Sequence, residues 1–377
     1  MRYLDHNATS PLRPEAKAAM ERAMALCGNP SSVHGAGRAV RALIEEARDR
    51  IATLAGRRPQ EVVFTSGGTE ANWLALSGAL RCAARSGGPI MRILVSAVEH
   101  DSVLANAFSL AQQIPGLRVD ILIVSPQGLI DLDALRGQLR ENGGRTLVCA
   151  MAANNETGVI QPLGEVMILA HEAGALTLTD AVQAAGKLNA PFEADYVSLS
   201  AHKIGGPQGV GALIVSKDAP FAPQILGGGQ ERGLRAGTEN FLGVAGFGAA
   251  AAALRKEGSV LRDRFEHGLK SIAVDAVIFG EAAPRLANTS NFALPGVASE
   301  TALMALDLDG VMVSSGAACS SGKVRPSHVL RAMGVSDKLA RCALRVSFGW
   351  NSTEDDVDAA LASLAKLVGR RRAREAA

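Results

Sequence analysis

Short apolar runs alternate with amphipathic stretches over the first two thirds of the chain. Runs at Glu61–Thr65, Arg92–Ser96, Val119–Val124, Thr146–Met151, Leu176–Thr179, Tyr196–Leu199 and Gly211–Val215 have strand length and are mostly apolar. Between them, stretches such as Glu70–Arg85 and Leu163–Ala173 place apolar residues at helical spacing. Strands alternating with helices predict an α/β domain whose largely parallel sheet is covered on both faces, with a ligand at the carboxyl ends of its strands. Ahead of this pattern lie an extended segment and two expected helices, near Pro14–Leu26 and Gly37–Ala55, separated by the turn-rich GNPSSVHG. One long Ala- and Leu-rich helix is expected from about Phe241 to Leu269, connecting two domains. Beyond about Val274 the rhythm changes. Short strands (Thr289–Ala293, Ala343–Ser347) mix with helices (Glu300–Asp307, Pro326–Met333, Thr353–Leu367), which predicts a smaller α+β domain.

Composition narrows the function. With 377 residues and 47% hydrophobic content, the chain is too long for a single small binding module and is expected to fold throughout. Lys+Arg 39 against Asp+Glu 37 gives a net charge of +2, which removes the electrostatic argument for a nucleic-acid or membrane-surface partner. The basic run Gly369–Arg374 falls at the end of an expected helix, where cations suit the helix dipole. No run approaches the roughly 18 apolar residues of a membrane helix, and MRYLDHNATSP has no apolar signal-peptide core. Cys27, Cys82, Cys149, Cys319 and Cys342 are odd in number and scattered, without C-x-x-C spacing. A disulfide framework and a structural zinc site are not expected, and a cytoplasmic location fits.

Three segments carry chemistry. In EVVFTSGGTEANW a strand runs through Thr-Ser-Gly-Gly-Thr into a helix, which gathers N–H groups and hydroxyls into an anion pocket; an ordinary helix capped by Thr69 is the plainer reading. In YVSLSAHKIGGPQGVG, Lys203 follows an apolar strand and is flanked by Ser200 and His202. In a desolvated site its amine would form a Schiff base with pyridoxal phosphate, whereas on an exposed loop it would only be solvated. In TLTDAVQAAGK, Asp180 ends a strand with Gln183 three residues on; Asp180 suits a pyridinium nitrogen, or a helix cap. A phosphate cup, an acid and a lysine in order along one α/β domain favour the cofactor reading.

Taken with YLDHNATSP, GNPSSVHGAG, VEHDSV, NNETGVIQP, GGGQERGLRAGTEN and SSGAACSSG, these motifs make the chain resemble the cysteine desulfurases of the NifS/IscS type, in the class V aminotransferase group of fold-type I pyridoxal-phosphate enzymes. The resemblance implies an N-terminal segment (1–15), a large transferase domain (16–255) and a small C-terminal domain (256–377). It implies that Lys203 binds the cofactor, that Asp180 and Gln183 contact its ring, and that Gly68, Thr69, Ser200 and His202 hold its phosphate. Thr238 would complete that cup in a partner subunit, making a homodimer. His100 would lie over the ring and move protons, while Asn155 and Arg345 would hold the substrate, Asn155 also touching the cofactor. Cys319, in a Gly/Ser-rich run that reads as an exposed loop, would take sulfur from L-cysteine as a persulfide, leaving L-alanine.

The same resemblance implies an acceptor protein such as an iron–sulfur scaffold, with Cys319 as a transient cluster ligand and no standing metal site; the N-terminal sequence leans towards the nitrogen-fixation branch. The other four cysteines are assigned to buried packing. His6 stands where many relatives have Tyr, and Ala201 and Ala317 where Gly or Ser are frequent. The alternatives are another class V enzyme, such as an aminotransferase for small amino acids or a selenocysteine lyase, and a non-enzymatic dimer.

Overall fold

The computed structural model describes residues 1–82, 88–141, 144–189, 191–255, 258–315 and 327–375. A short strand, β1 (Arg2–Tyr3), precedes α1 (Pro14–Met24) and α2 (Gly35–Ala55). The alternating region follows as β2 (Val62–Thr65), α3 (Gly68–Arg81), β3 (Ile90–Ser96), α4 (Asp101–Gln113), β4 (Arg118–Leu122), α5 (Leu132–Arg140) and β5 (Arg145–Cys149). It continues through α6 (Leu163–Glu172), β6 (Leu176–Asp180), β7 (Tyr196–Ser200), β8 (Gly211–Val215) and α7 (Phe241–Ala252). Among the described residues, β2 to β8 form one seven-stranded sheet in the order β2-β8-β7-β6-β5-β3-β4. All neighbours are parallel except β8, which runs against both β2 and β7.

The strands read as continuous apolar runs because both faces of the sheet are buried. Val62, Phe64, Leu94, Val148, Val197 and Ile214 face one apolar cluster with Ile44 and Ile51 of α2 and Phe247 of α7. The alternate residues Val63, Ile93, Val95, Leu147, Tyr196 and Leu213 face the other, with Leu74 of α3 and Val103 of α4. With both faces covered, the strand ends are what remains for chemistry.

The rest of the chain is α8 (Val260–Ile272), β9 (Val277–Ile278), β10 (Thr289–Ala293), α9 (Ser299–Leu308), β11 (Val311–Met312), α10 (His328–Ala332), α11 (Asp337–Ala340), β12 (Ala343–Ser347) and α12 (Glu354–Glu375). Strands β12, β10 and β9 form an antiparallel sheet around a core of Phe265, Phe292, Phe348 and Leu364. Strand β1 pairs with β11, so the N-terminal segment lies on this part of the molecule. A further cluster, including Val98, Met151, Phe279, Leu330 and Met333, ties it to the central sheet.

Three expectations change. The single helix over 241–269 is two helices, because Phe247 of α7 serves the core under the central sheet while Phe265 and Leu269 of α8 serve the other core. One straight helix cannot face both. The last helix runs on to Glu375, past the expected Leu367, because Arg371 reaches Asp275 and the Pro295 carbonyl while Arg372 reaches the Ile272 carbonyl. Cys149 and Cys342 are buried as expected, but Cys27 is exposed in the link between α1 and α2, and Cys82 is half-buried just past α3. No helix among the described residues is long and apolar enough to cross a membrane.

A buried ion pair fastens the segment after β8. The Glu231 carboxylate accepts both Nη groups of Arg48, at 2.8 and 2.9 Å, and the Phe64 N–H of β2 at 2.8 Å. Both partners are nearly inaccessible, with side chains 4% and 2% exposed. Glu231 and Arg232 have left-handed backbones (φ 46° and 58°), a conformation that costs L-residues about 1–2 kcal/mol each. These contacts hold the strained turn. Glu231→Ala, which leaves the buried Arg48 only the half-exposed Glu45 as a carboxylate partner, is expected to cost up to about 3–5 kcal/mol in denaturant unfolding. Arg48→Met with Glu231→Gln, which keeps an acceptor for the Phe64 N–H, is expected to cost clearly less.

Candidate active site

The carboxyl ends of β2, β6 and β7 meet at one edge of the sheet. After β2, the turn Ser66–Gly67 leads into α3, whose first N–H groups have no carbonyl within the helix to bond. The turn is held by Glu70, which accepts the Ser66 N–H (2.8 Å) and hydroxyl (2.5 Å) and pairs with Arg235 at 2.8 Å. Burial pushes the Glu70 carboxyl up, but the Arg235 and Ser66 hydrogen bonds outweigh it and hold it below the usual range. Gly68 faces β6 and β7 closely. A Cβ there would stand 2.8 Å from Val182 Cγ2 and 3.5 Å from Ser200 Cβ.

Asp180 ends β6. Its Oδ1 accepts the Val182 N–H at 2.9 Å and its Oδ2 accepts the Asn72 amide at 2.8 Å. The plainer reading of a turn-capping Asp is therefore true of one oxygen, while the residue also lines the cavity. Beyond Ser200, at the end of β7, a single 3₁₀ turn (Ala201–Lys203) carries His202 and Lys203. The Lys203 Nζ donates to the Asn7 and Ala8 carbonyls at 2.6 and 2.8 Å. Burial, helped by the Arg345 charge and opposed by Asp180 and Asp5, lowers its pKa to about 8. Burial, with Lys203 beside it, lowers that of His202 to about 4, so His202 is a neutral hydrogen-bonding group near neutrality; its Nδ1 lies 3.1 Å from the Thr9 hydroxyl.

These groups surround a cavity of about 270 Å³ whose wall includes Gly68, Thr69, His100, Asn155, Asp180 and Gln183, with Ser200, His202 and Lys203. A second space of about 360 Å³ adjoins it through Gly68, Thr69, Ser200 and His202. The residues fit pyridoxal phosphate: a helix start with hydroxyls for the phosphate, a glycine where a side chain would fill the cradle, an acid for the ring nitrogen and a weakened amine for the aldehyde. Gln183 is held in place by its Nε2, which donates to the Asn7 carbonyl at 2.9 Å. His100 caps α4, with Nδ1 accepting the Ser102 N–H at 3.1 Å.

Two expected site residues stand apart. Arg345, buried on β12, bonds the Asn155 carbonyl at 2.9 Å and Asp5 Oδ1 at 2.6 Å, and reaches the cavity wall only through Asn155. Thr238 is exposed and lines a different cavity, with Phe64 and Glu239. Cys319 lies outside the described residues. Conversely, Asn72, Ser102, Met151 and Val182 line the cavity although no sequence motif assigns them to it. The signal for Asn72 is a polar residue one helical turn beyond Gly68, set directly before the apolar run Trp73–Leu76.

The aminotransferase class-V family model matches residues 2–360. An IscS-like cysteine desulfurase of Mycobacterium tuberculosis is 42% identical over 385 residues, covering 99% of this chain and 97% of that protein. A cysteine desulfurase of Cereibacter sphaeroides is 44% identical, covering 98% and 96%. Among solved structures, a NifS-like protein from Rickettsia africae superposes with a TM-score of 0.86 at 34% identity, over 97% of this chain and 99% of that one. SspA in complex with cysteine gives 0.82 at 30% identity, over 94% and 100%.

Behind the cavity, Glu99 is completely enclosed. Its Oε1 accepts the Met151 N–H at 2.5 Å, and its Oε2 has no partner among the described residues. Burial, reinforced by Asp180, pushes its carboxyl well above the ordinary 4.5. A raised carboxyl adds stability below its unfolded value and loses it as the pH climbs towards its folded value. Glu99→Gln keeps the shape and does not titrate. Its stability relative to the parent is therefore expected to improve by up to about 1.4 kcal/mol per pH unit above about pH 4.5, read by denaturant unfolding across that range.

Proposed function

The chain belongs to the class-V aminotransferase family, and from that premise we propose how it works as a pyridoxal-phosphate-dependent cysteine desulfurase. Relatives bearing that name, at 39–44% identity, match it along nearly its whole length. The observation that carries the mechanism is Lys203, a half-buried amine with a depressed pKa that shares one cavity with Asp180 and a helix N-terminus.

Bound pyridoxal phosphate supplies an electron sink for charge developing at the Cα of an amino acid. Lys203 would hold it and would move the Cα proton at Nζ. Asp180 holds the ring nitrogen's proton, and Gln183 orients the ring from its amide. The first N–H groups of α3, with Gly68, Thr69, Ser200 and His202, bind the phosphate. His100 exchanges protons at Nε2. Asn155 and Arg345 bind the substrate carboxylate, Arg345 exchanging the Asp5 carboxylate for it so that the buried guanidinium stays paired. The Cys319 thiolate attacks the sulfur of L-cysteine: an S–S bond forms, the Cβ–S bond breaks with its electron pair staying on carbon, and protonation of that carbon leads to L-alanine.

Thr238, exposed on its own chain, completes the phosphate cup of a second copy, which makes the working unit a homodimer. The persulfide passes to an acceptor such as an iron–sulfur scaffold, with the cluster as cargo. The separate core around Phe265 and Phe292 supports division into segments 1–15, 16–255 and 256–377.

Cys319→Ala is expected to keep the cofactor's absorbance band, which Lys203→Ala loses, while alanine and sulfide formation from L-cysteine fall to background. Unchanged sulfide release would overturn the reading. Because only the neutral amine captures an aldehyde, the apoprotein's rate of cofactor uptake is expected to rise about tenfold per pH unit below about 8 and to level off above it, measured by stopped-flow absorbance.

A further inference from the structure

One line of hydrogen bonds joins two walls of the cavity. The Asn72 amide nitrogen carries two hydrogens and has two acceptors, Asp180 Oδ2 at 2.8 Å and Ser102 Oγ at 2.9 Å. Its orientation is forced, since the reverse would set the amide oxygen against a carboxylate. Its Oδ1 is buried without a partner among the described residues, so the donor side alone fixes the side chain. Ser102, accepting from Asn72, keeps its own hydrogen for His100 Nδ1 at 2.8 Å. The Ser102 N–H also points at Nδ1, at 3.1 Å. Two donors therefore converge on Nδ1, and a neutral imidazole must carry its hydrogen on Nε2.

We propose that Asn72 and Ser102 are positioning residues: one amide orients the Asp180 carboxyl and, through the Ser102 hydroxyl, holds His100 in the Nε2–H tautomer. Nδ1 is thereby closed to proton exchange, and whatever passes between His100 and a ligand passes at Nε2. The Asn72 side chain is only 1% exposed, so water does not compete for its two bonds. The inference rests on the reading that Asp180 and His100 serve one bound ligand, but the tautomer is a property of the protein itself.

The test uses holoenzyme labelled with ¹⁵N-histidine, with His100→Gln identifying the His100 signals among seven histidines. The parent is expected to show a pyridine-type Nδ1 and a pyrrole-type Nε2. Ser102→Ala, which leaves the backbone N–H of residue 102 as the one remaining donor to Nδ1, is expected to move both signals part of the way towards a tautomer mixture and lower kcat with L-cysteine about tenfold, with KM changing less than about threefold. Ser102→Thr is expected to restore both. Asn72→Leu, which removes the amide, is expected to act like Ser102→Ala. If it does not fold by circular dichroism, the Ser102 pair decides alone. Ser102→Ala with parental His100 signals and parental kcat would overturn the proposal. A parent inactive on L-cysteine but with His100 fixed as Nε2–H would overturn the functional reading and leave this one standing.

Discussion

The polarity of the central sheet is the constraint on which the site depends. Strands β4, β3, β5, β6 and β7 are parallel, and both faces of the sheet are packed, so the chain can bring polar groups together only at the strand ends. The one reversed strand sharpens this. Because β8 runs against both β2 and β7, those two also point the same way, and Gly211 pairs with Thr65 on one side and Ser200 on the other. A Cβ at Gly211 would lie 2.6 Å from the Leu199 carbonyl and 2.7 Å from Gly67. Its absence lets the helix start after β2 close against the end of β7, and the cavity follows from that approach.

Glu99 apart, the charged groups around this edge are set against counterparts. Arg345 sits between Asp5 and the Asn155 carbonyl, and its field helps depress the Lys203 amine. Asp180 and Asp5 pull the other way, which leaves the amine poised close to neutrality instead of fully discharged. Glu70, on the wall of the adjoining space, is paired with Arg235 and bound to the turn before α3, so its charge is answered and the start of that helix can meet an anion.

What could be read from the sequence was local. The strands, the helix start at Gly68, Asp180 at a strand end and Lys203 just past one are each written within a dozen residues, and the structure gathers them into one cavity. The roles of Asn72 and Ser102 are not written along the chain, because they depend on two helices bringing together residues 30 positions apart. Asp5 and Arg345 are 340 residues apart, and no pattern along the chain pairs them. The supposed helix over 241–269 failed for a related reason: an apolar stretch does not say which core each half will face. Arg345 and Thr238 were recognised as residue types in motifs, yet their places, one behind the Asn155 backbone and the other on the surface, come from tertiary structure alone.

The segment around Asn7 has a consequence for how the protein is made. Its carbonyls hold Lys203, its amide reaches Thr289, its N–H meets Ser347, and its neighbour Asp5 holds Arg345. During synthesis these residues leave the ribosome about 280–340 positions ahead of the strands that receive them. Until β10 and β12 exist, the segment has only part of its docking site, the contacts to Gln183, Asn155 and His202, and the bonds of Asn7 and Asp5 to Thr289, Ser347 and Arg345 are missing. The site is thus completed only when the last strands have been made, and an interrupted chain carrying all the residues of the cofactor cavity still lacks two of the strands that hold its N-terminal segment in place.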